Sequence, residues 1–248
     1  MNLTIITVSK YFDNNLIETL KSVQNQSVEP HEHIVIVSKI QGTSIEFLLS
    51  NFSKNYRIFI FNKDSSIYNG MNLGIQKAFG NYLYFLNSGD IFLNNNTLSN
   101  IYSCENLYPN KILIFQTLQV YNNLSFLRNP KKSLNRLFIS PAHQGFIVPF
   151  YSERYDLFLF NELNHISADT EWMKGLLTQY QYKIIELVIC KFYLGGISNF
   201  PTLKTIKLKR NSLKFISEIL KYFFRLIFGT KFYYIVISYL NGYERVYR

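Results

Sequence analysis

Along the first ninety residues, apolar positions come in short unbroken blocks separated by amphipathic stretches. Leu3 to Val8, His33 to Val37, Tyr56 to Phe61 and Tyr82 to Leu86 are dense in β-branched, aliphatic and aromatic residues, the pattern of strands buried on both faces. Between them, Asn15 to Val23 puts Leu16, Thr19, Leu20 and Val23 on one helical face, and Ile45 to Phe52 has helical spacing. A third helix is predicted from about Tyr68 to Phe79, after a loop at Asn62 to Ser66 and before a stop at Gly80-Asn81. Strict alternation of strand and helix predicts an α/β fold with a mostly parallel, doubly wound sheet, whose ligands sit at the carboxyl ends of the strands.

The second half is less regular. Ile112 to Val120, Gln144 to Pro149 and Lys183 to Phe192 read as strands, and Thr170 to Tyr180 as a helix with Trp172, Met173, Leu176 and Leu177 on its apolar face. From Thr202 onward the pattern is helical again. The expected organisation is one α/β domain over 1–200, in two halves (1–95 and 96–200), followed by a basic aromatic tail over 201–248.

Composition narrows the class. Hydrophobic residues make up 48% of the 248, enough for a core, so global disorder is excluded. The formal charge of +10 favours an anionic partner. Two cysteines, Cys104 and Cys190, are too few for a disulfide framework or a zinc site and fit a reducing, cytoplasmic setting. The chain opens without a secretory pattern, and no uninterrupted apolar run reaches the ~18 residues of a spanning helix, so any membrane contact is expected to be peripheral.

Candidate chemistry gathers at Phe85-Leu86-Asn87-Ser88-Gly89-Asp90, where a buried strand ends in a turn and delivers a carboxylate. A hard oxygen ligand there suits a divalent metal bridging a diphosphate; a turn aspartate capping the next segment is an equal reading. Upstream, Asp64 to Ile75 puts small and polar residues at a helix entry, where free backbone donors can meet phosphate or ribose oxygens, although helix capping explains the same residues.

Taken in order, Leu3 to Ser9, Asp64 to Asn72, Gly80-Asn81-Tyr82 and Phe85 to Asp90 resemble the family 2 glycosyltransferases of GT-A fold, nearest the branch with colanic acid and O-antigen enzymes. The likeness continues at Pro141 to Phe146, Tyr155-Asp156, Ser167-Ala168-Asp169 and Leu194 to Ser198. It implies an inverting enzyme that takes a nucleotide-diphosphate sugar, with UDP favoured, and builds bacterial surface polysaccharide with Mn2+ or Mg2+. By the same likeness, Thr7, Ser9, Asp64, Tyr68, Asn72, Ser88 and Gly89 border the donor nucleotide, and Asp90 is the last carboxylate of the metal-binding element. His143 and Gln144 line the sugar or acceptor pocket. Asp169 is the general base: spacing alone favours a helix cap, the resemblance favours the base, and Glu171 is the nearest rival. Three positions depart from the family pattern: Val37-Ser38-Lys39 ends the second strand where relatives carry an aspartate, Asn69 stands in place of another, and Ser88 replaces the earlier metal carboxylate.

The tail carries Lys204, Lys207, Lys209 and Arg210, then Phe215, Ile219, Tyr222, Phe223, Leu226 and Ile227 at helical spacing. A basic, aromatic, amphipathic segment suits an anionic membrane surface and hence an acceptor on a polyprenyl diphosphate; packing back on the domain, or a dimer contact, is the alternative. A nucleic-acid-binding module is disfavoured because the charge gathers in the tail and no recognisable binding motif occurs. Dehydrogenase and kinase readings lack their glycine loops. A non-catalytic scaffold of the same fold remains the other alternative.

Overall fold

A computed structural model describes residues 1–62, 66–130, 141–164, 167–194, 201–208 and 215–246. Its first half follows the predicted alternation: β1 (Leu3–Tyr11), α1 (Asn14–Gln24), β2 (Glu32–Lys39), α2 (Gly42–Phe52), β3 (Arg57–Phe61), α3 (Ile67–Lys77) and β4 (Tyr82–Phe85). A short β5 (Asp90–Phe92) and α4 (Thr97–Leu107) follow, then β6 (Ile112–Tyr121) and β7 (Leu124–Arg128). A 3-10 turn at His143–Gly145 leads into β8 (Phe146–Pro149). A second 3-10 segment, Ser152–Phe158, precedes α5 (Ala168–Gln179) and β9 (Tyr182–Tyr193). The tail forms α6 (Leu203–Leu208), α7 (Phe215–Leu240) and β10 (Glu244–Val246).

β3, β2, β1 and β4 lie side by side and parallel. Antiparallel β8 joins β4 to β6, which is antiparallel to β7 and parallel to β9. Because β1 has β2 on one side and β4 on the other, the chain reverses its winding direction there. Open α/β sheets place their ligands at such a switch point, beyond the carboxyl ends of the strands, here β1 and β4.

Burial on both faces accounts for the unbroken apolar runs. Ile6, Val8, Ile34, Ile36, Leu83 and Phe85 pack under α3 and α5, while Leu3, Ile5, Tyr82, Tyr84 and Leu86 face α1 and α4 on the other side. Trp172 of α5 stacks on Phe160 at 4.8 Å and meets Phe85 edge-on at 5.6 Å, and its Nε1 donates to the Phe158 carbonyl at 2.6 Å. Aromatic pairs of this kind are worth about 0.5–1.5 kcal/mol each beyond their burial, so the first turn of α5 sits on a stiff support.

The tail does pack on the domain in part. Tyr234 of α7 meets Phe126 edge-on at 5.1 Å and donates to the Gln119 carbonyl, and β10 pairs with β7. By length and composition α7 could cross a membrane, which the sequence pattern, broken by charges, did not suggest. Lys209 and Arg210 lie outside the described residues.

Gly145 fixes the entry to β8. A Cβ there would stand 2.5 Å from the Phe115 carbonyl oxygen and 3.0 Å from Thr117 Cγ2, and backbone cannot step aside as a flexible side chain can. Gly145→Ala is expected to cost about 1–3 kcal/mol by overpacking, read as a lower melting temperature. It should also displace the two residues just before it.

Candidate active site

Those two residues, His143 and Gln144, reach two carboxylates on different elements. Gln144 Nε2 donates to Asp90 Oδ2 at 3.2 Å. His143 Nδ1 lies 3.3 Å from Asp169 Oδ2, and Asn87 Nδ2 donates to His143 Nε2 at 3.2 Å. With an amide donor occupying Nε2, the ring proton belongs on Nδ1, where it is donated to Asp169. The 3-10 turn thus gathers Asn87 and Asp90, from the turn after β4 and the start of β5, and Asp169, from the start of α5, into one cluster at the switch-point crevice.

The two carboxylates differ in kind. Asp90 is buried, and desolvation pushes its carboxyl up to about 7 against the smaller opposing pull of His143, the Gln144 hydrogen bond and a backbone hydrogen bond at Asn87. Tyr84 and Cys190 lie beside it. Asp169 retains side-chain exposure of 28%. Burial alone would raise its carboxyl; the His143 hydrogen bond, the Thr170 amide and Arg128 outweigh that and hold it below the usual range. It is the second residue of α5, after an N-cap at Ser167, so it does not cap the helix but sits in the field of its free N–H groups. The helix begins two residues before the predicted Thr170.

Several expectations change. Thr7 is an internal tie: its fully buried hydroxyl donates to the Leu86 carbonyl at 2.7 Å and meets His33 Nε2 at 2.9 Å, while Arg57 Nε donates to His33 Nδ1. This internal brace ties β1 to the end of β4. Asn72 is likewise a clamp, bonded to both the N–H and the carbonyl of Phe160 and to Glu162 Oε1. Tyr68, largely buried at the start of α3, lies near Asp169: burial and the neighbouring Asp169 charge push its phenol pKa up. Gly89 has φ +93°, a left-handed conformation that favours glycine, but its N–H is taken by the Thr19 hydroxyl at 3.0 Å. It therefore shapes the turn without offering a donor to phosphate. Ser9 donates to the Tyr11 carbonyl, and Ser88 is half-buried at the crevice with its N–H on the Val8 carbonyl. Glu171 accepts from Asn164 at 3.1 Å and lines a separate cavity of about 200 Å3 behind α5, with Leu157 and Trp172. Asp64 and the 195–198 part of the Leu194 to Ser198 segment lie outside the described residues.

Three features were missed. The exposed Tyr11 ring, at the carboxyl end of β1, has Lys10 and Lys39 ammonium groups 5.4 and 5.5 Å from its centroid; only the β1–β2 register, pairing Tyr11 with Lys39, brings that group together. Glu162 supplies a carboxylate beside Asn69, where the sequence lacks one. Arg128, at the end of β7, lies over the Tyr243 ring at 5.5 Å and adds positive charge near Asp169.

For a divalent cation the described residues offer a sparse donor set. No cluster of three acidic, histidine or cysteine side chains occurs among them. The buried Asn87 Oδ1, however, has no hydrogen-bond partner, and Asp90 stands three residues on. Two hard oxygens on one turn fit a cation that takes its other ligands from phosphate and water.

No family model matches the chain, and no curated protein matches it by sequence. Solved structures do. S. aureus TarS superposes with a TM-score of 0.61 at 14% identity over 88% of this chain, which spans 41% of the TarS chain. TarS 1–349 in complex with UDP-GlcNAc gives 0.63 at 15% identity, covering 89% of this chain and 67% of that one. The UDP complex gives 0.59 at 15%, covering 88% and 68%. At such identity the likeness is one of fold, and the fold is that of the GT-A glycosyltransferases.

Proposed function

We propose that this chain is an inverting glycosyltransferase that moves a sugar from a UDP-sugar to a saccharide acceptor. The observation that carries the reading is the pairing of Asp90 and Asp169 through His143-Gln144 at the topological switch point. The UDP and UDP-GlcNAc complexes of the TarS fold support the choice of donor.

In this mechanism Asp169, ionised and aligned by the His143 Nδ1 proton and the Thr170 amide, takes the proton of the acceptor hydroxyl. The hydroxyl oxygen attacks the anomeric carbon as the bond to the diphosphate breaks, so a single displacement inverts the centre. One accessible carboxylate suffices for that chemistry, and Asp90, sunk beneath Gln144, is no rival nucleophile. Asp90 and Asn87 Oδ1 would hold Mn2+ or Mg2+, which supplies neutralising charge to the leaving diphosphate. The exposed Tyr11 ring offers a stacking face for the base.

The acceptor is proposed to be lipid-linked, with the enzyme on the cytoplasmic face of the membrane in bacterial surface polysaccharide assembly. Placement nearest the colanic acid and O-antigen branch rests on the sequence segments alone. Thermal melting with UDP and Mn2+, against UDP alone, NAD and single-stranded RNA, tests the assignment. The expected result is a metal-dependent rise with UDP that is lost in Asp90→Ala; a larger rise with NAD or RNA overturns it.

A further inference from the structure

The first arm of α7 is built inside out. Ile216, Leu220, Phe223 and Ile227 recur at spacings of four, three and four, which is one stripe of a helix, and they are 70, 66, 55 and 72% exposed. The polar residues turn inward: Glu218 is buried with Lys221 Nζ on its Oε1 at 3.2 Å, and Arg225 lies over the Tyr222 ring at 5.8 Å. At Gly229 the helix breaks, with φ +81° and ψ 158°. The second arm then buries Tyr233, Tyr234 and Ser238 and is fixed to the sheet through Phe126 and Gln119. Between the arms lies an apolar cleft of about 250 Å3, lined by Leu220, Phe224, Tyr233, Val236 and Ile237.

We infer that this outward stripe seats the protein on an anionic lipid bilayer, lying in the headgroup layer rather than crossing it. The arms before and after Gly229 are about 21 and 16 Å long at 1.5 Å per residue, each short of a ~30 Å hydrocarbon core, and the second is held to the sheet. Lys231, just past the Gly229 break, is exposed, and the chain carries +10 overall, so acidic headgroups complement this surface.

The location suits a lipid-borne substrate. Asp90 pairs with Phe192 on β9, and Phe192 with Gln119 on β6, whose carbonyl holds Tyr234. Two strand spacings, about 10 Å, therefore separate Asp90 from the strand that anchors the arm. The bilayer contact itself requires no glycosyl transfer, so binding and catalysis fail separately.

Vesicle flotation of the full chain tests the inference, with phosphatidylcholine alone or mixed with phosphatidylglycerol. Binding is expected only with the acidic lipid, weakened about 10-fold by Lys231→Glu and by raised salt. The Phe223→Ser, Ile227→Ser double variant changes exposed positions only; it should keep its melting temperature and lose flotation. Failure to float, equal flotation of that variant, or resistance to alkaline carbonate, which marks a spanning helix, overturns the inference. So does light scattering that shows a parent dimer becoming monomeric in the double variant.

Discussion

Asp90→Asn is expected to melt up to about 8–16 °C higher than the parent at pH 8 while losing about 10²–10³-fold in transfer rate. The stability gain follows from desolvation. In the folded state the Asp90 carboxyl is pushed to about 7 from an ordinary value of 3.8, and each unit corresponds to 1.36 kcal/mol. Ionising this buried group above pH 7 therefore costs up to about 4 kcal/mol, and 1 kcal/mol moves the melting temperature of a chain this size by about 2–4 °C. The sign fixes the window: the folded protein holds the extra proton between about pH 4 and 7, so this group's contribution falls as pH rises through that range and levels off above it. The amide has no such loss, and its advantage should vanish near pH 4. His33, held well below 6.5 by burial and then by Arg57, has the opposite sense and costs stability as pH falls below 6.5. It is common to both proteins and cancels in the difference. The loss of rate follows from removing a charged oxygen that would hold the divalent cation, whose charge would offset that of the leaving diphosphate. Melting curves of the pair at pH 5 and 8 decide the first half, and equal differences at both would sink it. A carboxylate kept at such a cost to the fold is what functional sites show.

Asp169→Asn should bind UDP as the parent does and transfer sugar about 10²–10⁴-fold more slowly, the usual contribution of a positioned general base. The amide is isosteric and can still meet the His143 ring, so the cluster should persist and calorimetry should show unchanged nucleotide affinity. Only the capacity to accept the acceptor's proton disappears. Unchanged turnover would remove Asp169 from that role, and Glu171 could not replace it, since its carboxylate is bound to Asn164 and faces the cavity behind α5.

The parallel half of the sheet was legible because strands buried on both faces leave continuous apolar runs. α4 was not: Leu98 and Ile101 are its buried apolar residues, and its last, Leu107, is exposed. β5 and β10, three residues each, fall below the length at which periodicity carries a signal. Asp90 and Asp169 could be named from their segments, but which way a side chain points could not. Thr7 and Asn72 look like ligand groups in a string of letters and prove to be internal ties. Tyr11 with Lys39, and Arg128 with Tyr243, exist as pairs only through strand register and tail packing. His143 and Gln144 were expected to line a pocket; a 3-10 turn in place of a strand lets neighbours in sequence serve different carboxylates.

The pairing of β10 with β7 bears on how the protein can be handled. Cutting after Leu240 would strip a neighbour from β7, leaving open N–H and C=O groups that invite edge-to-edge aggregation. It would also delete Tyr243, the ring beneath Arg128. Shortened versions made to improve solubility should precipitate more readily than the longer chain, and any that survive should have a slackened Asp169.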